Sequence, residues 1–142
     1  MATVELSFTA LPAHVRTARL VATAVARRSG VDESLLDEVR LAVGEACSRA
    51  VEGHQLYCPA EPVRLALTDL AGRFEVEVTD TCAPDARSPA NAAGGRSPGP
   101  AVGVPAGLGI AVIEGLADEV QISETAAGTS IRMSWPSAGA HR

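Results

Sequence analysis

The chain contains no lysine: all twelve of its basic side chains are arginine. That absence removes three chemistries at once. A P-loop needs a lysine on the phosphates, a Schiff-base enzyme needs a lysine amine, and a eukaryotic-type protein kinase needs its strand lysine. Aromatic residues are also scarce, 3% against 46% hydrophobic residues in all, so the core has to be built from Leu, Val, Ile and Ala. No apolar run approaches the ~18 residues of a membrane span. The start MATVELSFTA has neither a basic nor an apolar leader region, which leads to the expectation of a cytoplasmic protein without a membrane anchor. The net charge is −5 and no arginine cluster exceeds the pair Arg27-Arg28. The basic field that draws proteins onto nucleic acid is therefore missing. The three cysteines, Cys47, Cys58 and Cys82, are odd in number and include no C-x-x-C pair, so neither a disulfide framework nor a zinc site is expected. His54 and Cys58 form a lone H-x-x-x-C without the second pair that a metal site needs.

What is present suits one α+β domain over residues 1–136, followed by a loose tail at 137–142. Val4-Glu5-Leu6-Ser7-Phe8 alternates apolar and polar side chains and predicts a half-buried strand. A helix over 12–29 follows, with Pro12 in its first turn, Leu11, Val15, Ala18, Ala22 and Val25 at helical spacing, and Arg27-Arg28 before Gly30 at its end. Asp32 is placed to cap a second helix and Val31 and Leu36 to staple its entry, with Leu35, Val39, Ala42, Ala46 and Ala50 along one face as far as Val51 or Glu52. An irregular stretch at 53–62 leads to two alternating runs, Val63-Leu65-Leu67 and Phe74-Val76-Val78, joined as a hairpin across Asp69 to Gly72.

Residues 81–106 then hold five of the nine prolines together with Gly94, Gly95, Gly99 and Gly103. An insertion of that length and composition reads as a flexible lid or a disordered segment rather than a packed element. Regular structure resumes at Gly107 with a buried helix of about ten residues, then a hairpin of Val120 to Ser123 and Ile131 to Trp135 around Ala127-Gly128. The predicted architecture is a two-layer sandwich, a mixed and mainly antiparallel sheet with three helices on one face.

Three places in this order carry chemical interest. Glu45 and Arg49 lie four residues apart on the second helix, close enough to pair across one turn; such a pair is also an ordinary surface salt bridge. Asp80 stands at the end of a strand, where a carboxylate can accept a hydrogen bond from a purine amino group or merely cap the next turn. Gly107-Leu108-Gly109 opens a helix whose first N–H groups are unsatisfied and suited to an anion; the same glycines also suit the end of a loop.

The ordered set L-A-V-G-E-A-C-S-R-A-V-E-G-H at 41–54, V-T-D-T-C-A-P at 78–84, G-L-G-I at 107–110 and G-T-S-I-R-M at 128–133 resembles the nucleotide site of the GHKL, or histidine-kinase-like, ATPases. It is most similar to their bacterial anti-sigma serine-kinase branch. The resemblance covers most of the chain and implies the Bergerat fold. It also implies a protein that sequesters a sigma factor and, with ATP and magnesium, phosphorylates a serine on a STAS-domain antagonist, often as a homodimer. On that resemblance Glu45 takes the place of the catalytic glutamate, Asp80 that of the adenine-reading aspartate, Gly107, Leu108 and Gly109 the phosphate loop, and Thr129 the threonine near the base.

The sequence also departs from the pattern. Arg49 stands where the family has a magnesium-ligating asparagine, and a guanidinium has donors only. Cys82 and Pro84 stand where glycines let the backbone approach the nucleotide. ATP or ADP, if bound, would then meet Arg49, Asp80, Cys82, Gly107, Leu108, Gly109 and Thr129, with no metal held in the family's usual way. The leading expectation is a partner-switching regulator that binds a sigma factor or STAS-domain antagonist with a degenerate ATP site. An active serine/threonine kinase and a small-molecule-sensing module are the alternatives.

Overall fold

Alternating strands bury one face and leave the other to solvent, and here that pattern builds a single sheet. The computed structural model describes residues 2–82, 106–126 and 128–138. Its elements are β1 (Ala2–Phe8), α1 (Pro12–Arg28), a 3₁₀ turn (Glu33–Leu35), α2 (Leu36–Tyr57), β2 (Val63–Leu70), β3 (Arg73–Thr79), α3 (Ala106–Leu116), β4 (Glu119–Thr125) and β5 (Gly128–Pro136). The strand order is β1-β2-β3-β5-β4, and every pairing is antiparallel. The sequence allowed for a mixed sheet; each strand in fact runs against its neighbours.

Register follows the hydrophobic pattern, because a slip of one residue would turn every apolar side chain to the wrong face. Leu6, Leu65, Val78, Ile131 and Ile122 form one row across all five strands, and Val4, Leu67, Val76, Met133 and Val120 the next. The central members of both rows are buried, as are Phe74 and Trp135 beside them. On the opposite face Arg132 lies 3.0 Å from Glu75 and 3.5 Å from Glu77, exposed pairs that contribute at most about 1 kcal/mol each. The helices cover the apolar face only. α2 is central, packed against α1, α3, β2 and β3, and the Trp135 indole N–H donates to the Leu116 carbonyl at 3.1 Å, fixing the end of α3 to the sheet.

The helix ends follow local chemistry. α1 closes with Gly30 N–H on the Arg27 carbonyl and Val31 N–H on the Ala26 carbonyl, the paired bonds of a Schellman motif, which Gly30 permits at φ 92°. Asp32 caps as expected, its carboxylate accepting from Ser34 N–H at 2.9 Å, although the turn it starts is 3₁₀ before it becomes α2. The Ser34 hydroxyl donates to the same carboxylate, and it and the N–H together hold the Asp32 carboxyl below its usual range.

α2 runs to Tyr57, beyond the expected end at Val51 or Glu52 and straight through Gly53. The helix propensity lost at glycine is about 1 kcal/mol, and the buried His54 that follows gives the extra turn its tertiary anchor. A loose tail is expected over 137–142, of which 139–142 lie outside the described residues. Ser137 N–H donates to the Gly72 carbonyl at 3.0 Å and Ala138 N–H to the Gly30 carbonyl at 2.9 Å, so residues 137 and 138 are held. Of the lid expected at 81–106, residues 83–105 lie outside the described ones. No helix among the described residues is long and apolar enough to cross a membrane.

Candidate functional site

The strand end predicted to matter is a tightly bonded corner. Asp80, 6% exposed, follows β3 directly. Its N–H donates to the Thr129 carbonyl at 2.9 Å, and its Oδ1 accepts the N–H of Thr129 at 3.3 Å and of Cys82 at 3.2 Å. β5 reaches it through Gly128, whose φ of 146° disfavours other residues. A Cβ at Gly128 would overlap the Asp80 carbonyl oxygen. Asp80 and Thr129, 49 residues apart in sequence, therefore meet, with glycine making the approach possible.

The segment leaving this corner is tied to the end of α2. Thr81 N–H donates to His54 Nε2 at 3.0 Å, and the Thr81 hydroxyl donates to the Pro62 carbonyl at 2.6 Å. Because Nε2 accepts, the proton of a neutral His54 must sit on Nδ1, which donates to the Glu61 carbonyl at 2.8 Å. Both ring nitrogens are thus occupied by the protein. One turn on, Cys58 is bonded to Cys82 in a disulfide with Cα atoms 5.8 Å apart, an ordinary separation for such a bridge.

That bond corrects the expectation that the cysteines form no disulfide. The chain spacing of 24 residues hides it, because only folding of β3 onto α2 brings the two sulfurs together. It also corrects the placement of Cys82 as a ligand-lining thiol: the side chain is 1% exposed and its sulfur is spent on Cys58. Cys47, the remaining thiol, is fully buried on α2. Burial pushes its pKa up to about 12 despite an opposing contribution from Arg19, so it is a core residue and not a nucleophile.

The second cluster lies where α2 meets α3. Gly109 is buried in the first turns of α3. A Cβ there would stand 2.6 Å from Glu45 Oε2 and 3.2 Å from Arg49 Cδ, so these two side chains lie directly against the helix that begins at Ala106. Gly107 belongs to the same opening turn, and so does the backbone of Leu108; the Leu108 side chain lies outside the described residues. The anticipated Glu45–Arg49 salt bridge is not formed. No hydrogen bond or ion pair joins Arg49 to another described residue, and its Nε is buried without an acceptor.

One helix therefore carries both clusters. His54, which holds the Asp80 corner through Thr81, is five residues beyond Arg49, about 7–8 Å along the axis. Arg49, whose guanidinium has donors only, stands where the resemblance implies a magnesium-ligating asparagine; among the described residues no group of three His, Cys, Asp or Glu side chains stands together. Sequence reasoning overlooked His54 and Gly128 as organisers. The signals were there, in the His that closes E-G-H at 52–54 and the Gly before Thr129, but each acquires meaning only from a partner remote in sequence.

The family described as the histidine kinase-like ATPase domain matches residues 8–135. No curated protein matches the sequence. Among solved structures, the RsbU and RsbW domains of Rv1364c from Mycobacterium tuberculosis are similar over 94% of this chain, with 20% identity and a TM-score of 0.65. This chain spans only 32% of that one. The mycobacterial sensor histidine kinase MprB is similar over 97% of this chain and 99% of its own, with 15% identity and a TM-score of 0.54. At such identities the likeness concerns the fold, and the fold agrees with the match that spans nearly all of the sequence. The chain belongs to the histidine kinase-like ATPase domain family.

Proposed function

We propose that this chain is a bacterial partner-switching regulator of the anti-sigma kind, which binds a sigma factor or a STAS-domain antagonist and no longer depends on phosphoryl transfer. The observation that carries the reading is the α2–α3 junction. Glu45 and Gly109, which match the glutamate and the helix glycine of the resemblance, lie against each other, and Arg49, at the position that the resemblance gives to a metal ligand, has a buried Nε without an acceptor. Phosphoryl transfer leans on metal charge and strict positioning, whereas a binding surface needs neither. The similarity in fold to a structure containing an RsbW domain supports the regulatory setting. Co-elution of the purified chain with individually purified sigma factors and STAS-domain proteins of its own bacterium tests the proposal. A stable complex with at least one is expected; no complex with any of them overturns it.

A second reading, an active serine kinase, is favoured by one observation. Glu45 makes no ion pair with Arg49 and lies against α3, where a general base would be needed. Transfer of labelled phosphate from ATP to a STAS-domain serine, lost in Glu45→Ala, would establish it.

A further inference from the structure

Which charge could fill the α2–α3 junction follows from its donors, and the answer rests on the reading of that junction as a former metal-nucleotide site. Opposite charges at i and i+4 on a helix normally pair. Glu45 and Arg49 instead lie side by side against Gly109 without an ion pair, and the Arg49 Nε–H is buried with no acceptor. A buried donor that lacks a partner is uncommon in folded proteins. Against the same pair packs the start of an eleven-residue helix whose own first turn holds no acidic residue, so the negative group beside its N–H groups comes from Glu45 and not from α3 itself. A guanidinium and a helix N-terminus are both complementary to phosphate oxygens. Neither can ligate a cation.

We propose that this chain takes a nucleotide polyphosphate without a divalent cation, with Arg49 supplying the positive charge that magnesium supplies elsewhere in the family and the first turn of α3 supplying hydrogen bonds. The consequence is specific. Magnesium, which would neutralise part of the ligand's charge and finds a guanidinium at the ligand position that the resemblance implies, adds nothing to affinity.

Calorimetric titration of the intact chain with ATP and with inorganic tripolyphosphate, each in EDTA and in excess magnesium, tests this. The expected result is ATP binding in EDTA at least as tight as in magnesium. Arg49→Gln should weaken it by about tenfold or more, the usual effect of losing a charge-assisted bond. Equal affinity for tripolyphosphate would assign the binding to the phosphates alone, while tighter ATP would add a contribution from the base; both support the proposal. Binding that appears only with magnesium overturns it, and so does the absence of heat in every buffer. The wild-type titrations decide the matter even if Arg49→Gln fails to fold. A chain that captures its protein partner yet ignores ATP would overturn this inference and leave the regulatory reading standing.

Discussion

The corner at Asp80 and the junction at Gly109 both rest on α2, and they differ in how completely their polar groups are used. At the corner, Asp80, Thr129, Thr81 and His54 are joined by hydrogen bonds of 2.9–3.3 Å, and a disulfide closes the far side. At the junction Glu45 and Arg49 touch α3 without bonding to each other, and a guanidinium N–H is left over. A fully satisfied network fixes a conformation and tolerates little change. An unsatisfied one is held together by its neighbours and is open to a ligand.

The contrast predicts unequal sensitivity, and Gly128→Ala is the sharpest probe. Its Cβ would meet Asp80 backbone, which cannot swing away, in a conformation that alanine disfavours. A loss of about 3 kcal/mol or more is expected, read as a drop in Tm of roughly 10 °C. A melting curve unchanged by that substitution would break the comparison.

Removal of the Cys58–Cys82 bridge comes next. Opening a loop of 24 residues should cost about 3 kcal/mol on the chain-entropy argument. Denaturant unfolding of Cys58→Ser, or of the wild type with and without a dithiol reductant, measures it; Cys47 takes no part.

Alkali provides a third test, located in the α1–α2 core and outside both clusters. The folded Cys47 thiol has its pKa raised from 9.0 to about 12, so below pH 9 it is neutral in both states and costs nothing. Above pH 9 the unfolded chain ionises first, and stability should fall by about 1.4 kcal/mol per pH unit until the folded thiol also titrates. Since no lysine titrates in that window, the component is readable by denaturant titration at successive pH values, and Cys47→Ala should remove it.

The smallest effect is expected from Gly109→Ala. The atoms it would meet belong to the Glu45 and Arg49 side chains, which can turn aside, and alanine gains helix propensity. A change within about 1 kcal/mol is anticipated, with the damage appearing instead in anion binding. A large loss of stability here would mean that the junction is as constrained as the corner.

The sequence made the elements legible because their hydrophobic periods are regular. The alternation in β2 and β3 and the 3.6-residue stripe of α2 gave the sandwich and the side of the sheet that the helices cover. Motif order implied one site shared by Glu45, Asp80, Gly107 to Gly109 and Thr129; the contacts seen are Asp80 with Thr129 and Glu45 with Gly109. What stayed hidden depends on side chains converging from distant segments. The Cys58–Cys82 bond, the double use of His54, and the failure of Glu45 to pair with Arg49 have no local signature. Their cause is the packing of β3 and α3 on α2. Composition even argued against the disulfide, since an odd count without close pairs normally indicates independent thiols.

Cys82 is fastened twice, by its sulfur to α2 and by its amide to the carboxylate of Asp80. A thiol added to a storage buffer would cut the first of these and leave the second to hold the residue alone. Batches purified with and without reductant would then present Asp80 in different settings, and any titration of this protein should state which one was in the cell.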